Sequence, residues 1–282
     1  VEPLRIGSRL FEGAGPFLVG VVNVTPDSFS DGGAFLEPVA AAAHAERLLA
    51  EGADVLDLGG ESTRPGAAPV PAAEEIRRVV PVVERLRARG CAAPISVDTS
   101  KPEVAAAALA AGADLVNDVR GLAAPGMAEL LAARAAPAVL VHSRGTAAGE
   151  RSPGAYRDVV EEVASELAAS LARAVRLGVA EERVVLDPGI GFAKTAAQSL
   201  ALLAGLPRLR ELGRPLLVGP SRKSFIGEVA GAPPAERLPG TLAAVAACVL
   251  AGVEFLRVHD VAAARQAAAV AAAIRLSGAR AP

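Results

Sequence analysis

The sequence predicts a (β/α)8 barrel, and three observations carry that expectation. Short apolar segments alternate with longer amphipathic ones through all 282 residues, the pattern of a parallel sheet wrapped by helices. Glycines 52, 90, 112, 178, 213 and 252 each close a helical segment just before an apolar run, where glycine supplies the left-handed cap. The apolar runs end in polar residues, as barrel strands do at the mouth that holds the chemistry. An open doubly wound sheet is the alternative.

The strands are expected at 17–22, 54–58, 94–97, 114–116, 138–141, 183–186, 215–218 and 254–258. All are short and apolar, which suits a sheet buried on both faces. A weak repeat supports them: Gly52-Ala53-Asp54-Val55-Leu56-Asp57 resembles Gly112-Ala113-Asp114-Leu115-Val116-Asn117 and Gly252-Val253-Glu254-Phe255-Leu256-Arg257. Between strands, Val160, Val163, Leu167 and Leu171 fall on one helical face, as do Ile76, Val79, Val80, Val83 and Leu86. Pro81 should kink the second of these helices. Ser100 is the expected N-cap of a helix with Pro102 in its first turn. No linker divides the chain, so residues 1–282 read as one domain, with 1–15 a short extension closing the barrel bottom.

Composition narrows the function. The chain is 52% hydrophobic with a net charge of −2, which gives no basic footprint for nucleic acid. The longest apolar run, 242–253, is too short to span a bilayer. Cys91 and Cys248 lie far apart with no metal spacing, so reduced thiols and a cytoplasmic location are expected. Lysine occurs only at Lys101, Lys194 and Lys223, asparagine only at Asn23 and Asn117. Depletion of thermolabile amides, cysteine and methionine, with abundant proline, fits a thermophile; a GC-rich genome, which favours alanine, arginine, glycine and proline, is the alternative.

The strand ends read Asn23, Asp57, Asp98, Asn117, His142, Asp187, Gly219 and Arg257. Any one of these is explained by helix capping or core packing; seven polar ends around one mouth are not. Arg257, His259, Asn23 and residues 221–223 suit an anion, and the helix after Asp260 offers its positive end to a phosphate. Asp98, Asn117 and Asp187 suit a flat heterocycle with amidine-like edges. Phe192 and Arg257 can cover the faces of such a ring.

Seven motifs then converge on one family. The loop Asn23-Val24-Thr25-Pro26-Asp27-Ser28-Phe29-Ser30-Asp31-Gly32-Gly33 is followed by Gly59-Gly60-Glu61-Ser62-Thr63-Arg64-Pro65-Gly66 and Val97-Asp98-Thr99. Asn117-Asp118-Val119, Asp187-Pro188-Gly189-Ile190-Gly191-Phe192, Ser221-Arg222-Lys223-Ser224-Phe225 and Arg257-Val258-His259-Asp260-Val261 come next. In this order they resemble the dihydropteroate synthases of folate biosynthesis. The resemblance implies condensation of dihydropterin-6-ylmethyl diphosphate with p-aminobenzoate, releasing pyrophosphate, by a Mg²⁺-dependent, homodimeric, sulfonamide-sensitive transferase. It implies Asn23, with Asp27, as metal ligands. It places the pterin on Asp98, Asn117, Asp187 and Lys223, with Gly219 allowing close approach, and the pyrophosphate on Arg257 and His259. Phe29, Thr63, Arg64, Pro65, Lys223 and Ser224 are the implied p-aminobenzoate pocket, and Asp98, Asp187, Lys223 and Arg257 the groups nearest the chemistry. The chain departs from the family at Val141, Ser143, Ala193 and in residues 145–149. The alternatives are a pterin-binding methyltransferase barrel, which needs neither the basic region nor the long first loop, and a non-enzymatic pterin-binding paralogue. Dimer contacts are expected from helices over 196–212, 234–252 and 260–276.

Overall fold

The computed structural model describes residues 3–13, 15–24, 37–62, 68–145 and 155–278. Its centre is an eight-stranded parallel sheet made of β3 (Phe17–Asn23), β4 (Val55–Gly59), β5 (Ile95–Asp98), β6 (Leu115–Asp118), β7 (Ala138–Val141), β8 (Val184–Asp187), β9 (Leu217–Val218) and β10 (Phe255–Val258). The strand order is β8-β7-β6-β5-β4-β3-β10-β9. A bridge between Leu186 and Leu216, with Leu186 N–H donating to Pro215 O at 2.9 Å, brings the two edges together and makes the sheet a barrel. Around it run α1 (Glu37–Ala50), α2 (Ala72–Ala88), α3 (Pro102–Ala110), α4 (Met127–Arg134), α5 (Val159–Arg176), α6 (Ala196–Ala204), α7 (Leu206–Arg210), α8 (Ser224–Ala230), α9 (Leu238–Leu250) and α10 (Val261–Gly278).

Strand alternation sorts the side chains into two cores. Leu18, Val22, Leu56, Leu58, Ile95, Val97, Val116, Leu140, Leu186, Val218 and Leu256 pack outward under the helices. Val19, Val55, Leu115, Val139, Val185, Leu217 and Phe255 form a separate apolar layer inside the barrel. Two residues further along their strands, the same inward register carries Asp57, Asn117, Asp187, Gly219 and Arg257. The barrel is therefore apolar at its floor and polar at its mouth.

An antiparallel hairpin of β1 (Leu4–Ile6) and β2 (Arg9–Phe11) seals that floor. Leu4, Ile6 and Phe11 are buried in the inner layer. The Phe11 ring sits 4.9 Å from Phe17, edge on, and 5.3 Å from Phe255. The expected N-terminal plug is thus present.

All six predicted cap glycines adopt positive φ, between 78° and 109°. Three local expectations change. Helix α2 runs unbroken through Pro81, and its buried stripe is Glu75, Val79, Val82, Val83 and Leu86. Proline removes a single N–H there, and apolar packing on both sides of it holds the helix together. Helix α3 starts at Pro102 with Lys101 as its cap, because Thr99 Oγ1 accepts the Lys101 N–H at 3.2 Å and Ser100 makes no cap bond. The helix expected over 196–212 breaks at Gly205, where Pro207 cannot continue the preceding hydrogen-bond ladder.

Candidate active site

The mouth is organised around Arg257. Its Nε donates to Oδ2 of Asp57 at 2.6 Å and its Nη2 to Oδ2 of Asp98 at 2.9 Å. Asn117 Nδ2 donates to the same Asp57 oxygen at 3.2 Å. These four side chains come from β4, β5, β6 and β10, whose parallel register brings residues remote in sequence to one level of the barrel. One guanidinium faces two carboxylates. Burial pushes Asp98 up to about 7 despite Arg257, because Asp57 shares that positive charge. Burial also works against the charge on Arg257, but Asp57 and Asp98 outweigh it and keep the guanidinium firmly protonated.

Two buried acceptors in this cluster, Asp57 Oδ1 and Asn117 Oδ1, have no partner among the described residues. Leaving buried oxygens unpaired costs about 1–3 kcal/mol each. Oxygens held this way inside a polar mouth are poised for donors that arrive with a ligand. Asp187 adds a third acceptor group on β8. Its Oδ1 takes the Gly189 N–H at 2.7 Å, and burial raises its carboxyl to about 6. The charge of Lys223 favours its ionised form, and Lys223 Nζ lies 4.1 Å from the centre of the Phe192 ring. Gly219 leaves open room beside Arg257: a Cβ there would come no nearer than 3.7 Å to any neighbour.

The outer rim is built for an anion. The His259 N–H and the Ser221 Oγ lie 3.3 Å apart, and His259 Nδ1 is 2.9 Å from the same oxygen. Since Oγ accepts the backbone N–H, the hydroxyl is assigned as donor to Nδ1, which puts the ring proton on Nε2. Burial and the nearby Arg257 lower His259 to about 4. It therefore offers a hydrogen bond and not a charge. Arg222 is committed elsewhere, to both oxygens of Asp260 at 2.9 and 2.6 Å. Among the described residues, the other cations that bear on His259 are Arg257, already paired with Asp57 and Asp98, and Lys223.

The fit of Mg²⁺ rests on the donor set. Asn23 ends β3 half-buried with a neutral amide oxygen. No group of three histidine, cysteine or carboxylate side chains among the described residues could cage a metal. One neutral oxygen fits a hard ion that keeps waters and draws other ligands from substrate phosphates.

Comparison with known proteins decides the family. Residues 19–259 match the pterin binding enzyme family. The dihydropteroate synthase of Synechocystis sp. is 44% identical over 275 residues, covering 96% of this chain and 95% of that protein. The chain belongs to the dihydropteroate synthase family. Solved structures agree. The Xanthomonas albilineans dihydropteroate synthase with 4-aminobenzoic acid superposes with a TM-score of 0.91 at 47% identity, covering 99% of both chains. The same enzyme in complex with 7,8-dihydropteroate gives 0.88 at 44% identity over the full length of both.

Within this dihydropteroate synthase barrel, Asp98, Asn117, Asp187, Phe192, Gly219, Lys223 and Arg257 share the mouth, with His259 and Ser221 at its rim. Ser224 is exposed at the first turn of α8, and Asn23 stands at the end of β3. Asp27, Phe29, Thr63, Arg64 and Pro65 lie outside the described residues. Sequence reading gave Asp57 no role, yet it joins Arg257 to Asn117; its place in the inward register with Asn117 and Arg257 was the available signal. It also passed over Lys101, whose Nζ bridges Glu61 at 2.6 Å and the fully buried Glu75 at 2.5 Å. That bridge ties the stem of the second loop to α2 and to the end of β5. His142 is a packed, hydrogen-bonded group and not a ligand at the mouth, which agrees with the more ordinary reading of a lone buried histidine.

Proposed function

We infer that this chain catalyses dihydropteroate synthesis: dihydropterin-6-ylmethyl diphosphate and p-aminobenzoate give 7,8-dihydropteroate and pyrophosphate. The observation that carries the reading is the polar layer of Asp57, Asp98, Asn117, Asp187 and Arg257 above an apolar floor, in a dihydropteroate synthase barrel. A pterin presents adjacent N–H and amino donors along one edge. The unpartnered oxygens of Asp57 and Asn117 and the carboxylate of Asp187 supply matching acceptors. Phe192 and the aliphatic stem of Lys223 form one wall.

In the reaction the bond between the pterin methylene carbon and the diphosphate oxygen breaks, and its electron pair leaves with pyrophosphate. Positive charge that develops at the methylene is favoured by the Asp98 and Asp187 carboxylates when ionised. Arg257 and Lys223 bind the departing anion, and His259 donates a hydrogen bond to it from Nε2. The arylamine nitrogen of p-aminobenzoate forms the new carbon–nitrogen bond and releases a proton. Against so electron-poor a carbon it needs no strong base. Asn23 is the residue that would hold Mg²⁺, with Asp27 as a second ligand; the ion's charge helps neutralise pyrophosphate. The family resemblance assigns p-aminobenzoate to Phe29, Thr63, Arg64 and Pro65, which lie outside the described residues, together with Lys223 and Ser224, so sulfonamides that mimic the arylamine should compete with it.

The two thiols, Cys91 and Cys248, are unpaired, and among the described residues no helix is long and apolar enough to cross a membrane. These features support a cytoplasmic enzyme. Exposed apolar residues on α6, α9 and α10, namely Leu200, Leu250, Val270, Ile274 and Leu276, support a homodimer through those helices.

The test is to incubate the protein with the pterin diphosphate, p-aminobenzoate and Mg²⁺ and to quantify both products. Equal amounts of pyrophosphate and dihydropteroate are expected, with loss of turnover on chelation. Absence of dihydropteroate with folded protein would reject the reading. Methyl transfer from a methylated pterin would favour the methyltransferase alternative instead.

A further inference from the structure

Behind Asp187, the loop over residues 189–193 carries an unusual backbone. Gly189, Gly191 and Ala193 all have positive φ, at 70°, 76° and 48°. Ala193 is not a glycine, and a side chain in the left-handed region costs roughly 1 kcal/mol or more. Such a loop turns its carbonyls inward, and here they converge on a cation of the chain itself. Lys194 is 7% exposed. Its Nζ lies 3.0 Å from Gly189 O, 3.1 Å from Phe192 O and 3.0 Å from His142 Nδ1. The His142 carbonyl oxygen is a fourth acceptor at 3.4 Å; burial lowers Lys194 to about 7, and the protonated form has three N–H donors to share among these acceptors.

His142 is held for this task from its other side. Its Nε2 is 2.9 Å from Glu166 Oε2, and Arg144 pairs with the same carboxylate. With Nε2–H donating to Glu166, Nδ1 is left as an acceptor for Lys194. Burial, with Lys194 beside it, lowers His142 to about 4, so the ring is neutral and this tautomer is available. The chain of contacts therefore runs from α5 through β7 to the loop after β8. It ends at Phe192, whose carbonyl Lys194 holds and whose ring meets Lys223. Gly189 fits the same design, since a Cβ there would overlap the His142 carbonyl.

We propose that Lys194 is a positioning residue: its Nζ, oriented by His142, is the internal hydrogen-bond donor that sets the backbone of residues 189–193 and so fixes Phe192 as a wall of the pterin slot. The proposal rests on the pterin reading of the mouth. It assigns a role to a buried lysine that does not face the substrate.

Calorimetric titration of the whole protein with the pterin diphosphate tests it. Lys194→Met, which keeps length and removes the donors, should weaken binding by about tenfold to a hundredfold. Turnover at saturating pterin should change far less than KM, because ground-state positioning is what is lost. The decisive comparison is with Phe192→Ala. If Lys194 acts through Phe192, Lys194→Met should add little to the loss already caused by Phe192→Ala. Additive losses, or wild-type affinity in folded Lys194→Met, would overturn the proposal. Should Lys194→Met not fold, His142→Ala removes the ring acceptor of Lys194 and should weaken pterin binding in the same direction, again only when Phe192 is present; unchanged affinity would overturn it equally. Failure of the wild-type protein to bind the pterin would instead count against the functional reading itself.

Discussion

Arg257 joins Asp57 and Asp98, residues 200 and 159 positions away in the chain, through one guanidinium at 2.6 and 2.9 Å. Two buried carboxylates at one level of the barrel interior are held by a single cation. Removing the cation leaves two buried carboxylates facing each other. Arg257→Met should lower stability by about 3–5 kcal/mol, the usual consequence of breaking a buried pair from one side. Denaturant midpoints measure this. A midpoint equal to wild type would mean that the mouth is well solvated and that the pair contributes little.

The raised carboxyl of Asp98 gives a pH signature. Burial moves it from 3.8 to about 7. In the window between those values the folded protein keeps a proton that the unfolded chain has lost. Its contribution to stability is full below about pH 4 and is lost as pH rises through about 7. Asp98→Asn removes that titration. The stability of the variant relative to wild type should therefore rise between pH 5 and pH 8; the other groups that titrate near this range, Asp118, Asp187, Lys194, His142 and His259, are present in both proteins. A difference that stays flat with pH would show that Asp98 is not perturbed.

Lys223 meets Phe192 at 4.1 Å and lies at the cap of α8. Its charge and stem serve the substrate and not the core. Lys223→Ala should reduce pterin affinity and turnover by about tenfold or more, since part of the slot's wall and a charge-assisted hydrogen bond to phosphate of ~1.5–3 kcal/mol are both lost. Its unfolding free energy should fall by no more than about 1 kcal/mol, the loss of the Phe192 contact. Wild-type kinetics would remove Lys223 from the site.

The hairpin plug makes the opposite prediction. Phe11 packs on Phe17 and Phe255 at the apolar floor, away from the polar layer. Phe11→Ala should cost about 3–5 kcal/mol of stability. Pterin affinity measured well below the melting range should stay near the wild-type value. A large change in affinity with little loss of stability would show that floor and mouth are coupled more tightly than two separate layers allow.

Much of this was legible in the sequence because barrel strands advertise themselves locally. The cap glycines mark where helices stop, and Asp98, Asn117, Asp187 and Arg257 follow directly on apolar runs. Pairings between distant residues were not legible. That Arg257 would bind Asp57, or that His259 would be neutral because of burial beside Arg257, depends on the register of β10 against β3 and β4. Helix limits also escaped where tertiary packing overrides a local signal. Pro81 sits in an unbroken α2, and Ser100 yields the cap position to Lys101. Ala193 was visible only as a departure from the family pattern; its positive φ and the ammonium of Lys194 beneath that loop required coordinates.

The most direct test of the central claim, that the polar upper layer of the barrel is the pterin slot, is a crystal structure with the pterin diphosphate bound. The account predicts the donor edge of the ring within hydrogen-bonding distance of Asp57 or Asn117 and of Asp187, one face against Phe192 and Lys223, and the diphosphate at Arg257 and His259. A pterin bound elsewhere, or bound with those side-chain oxygens still unpartnered, would contradict it.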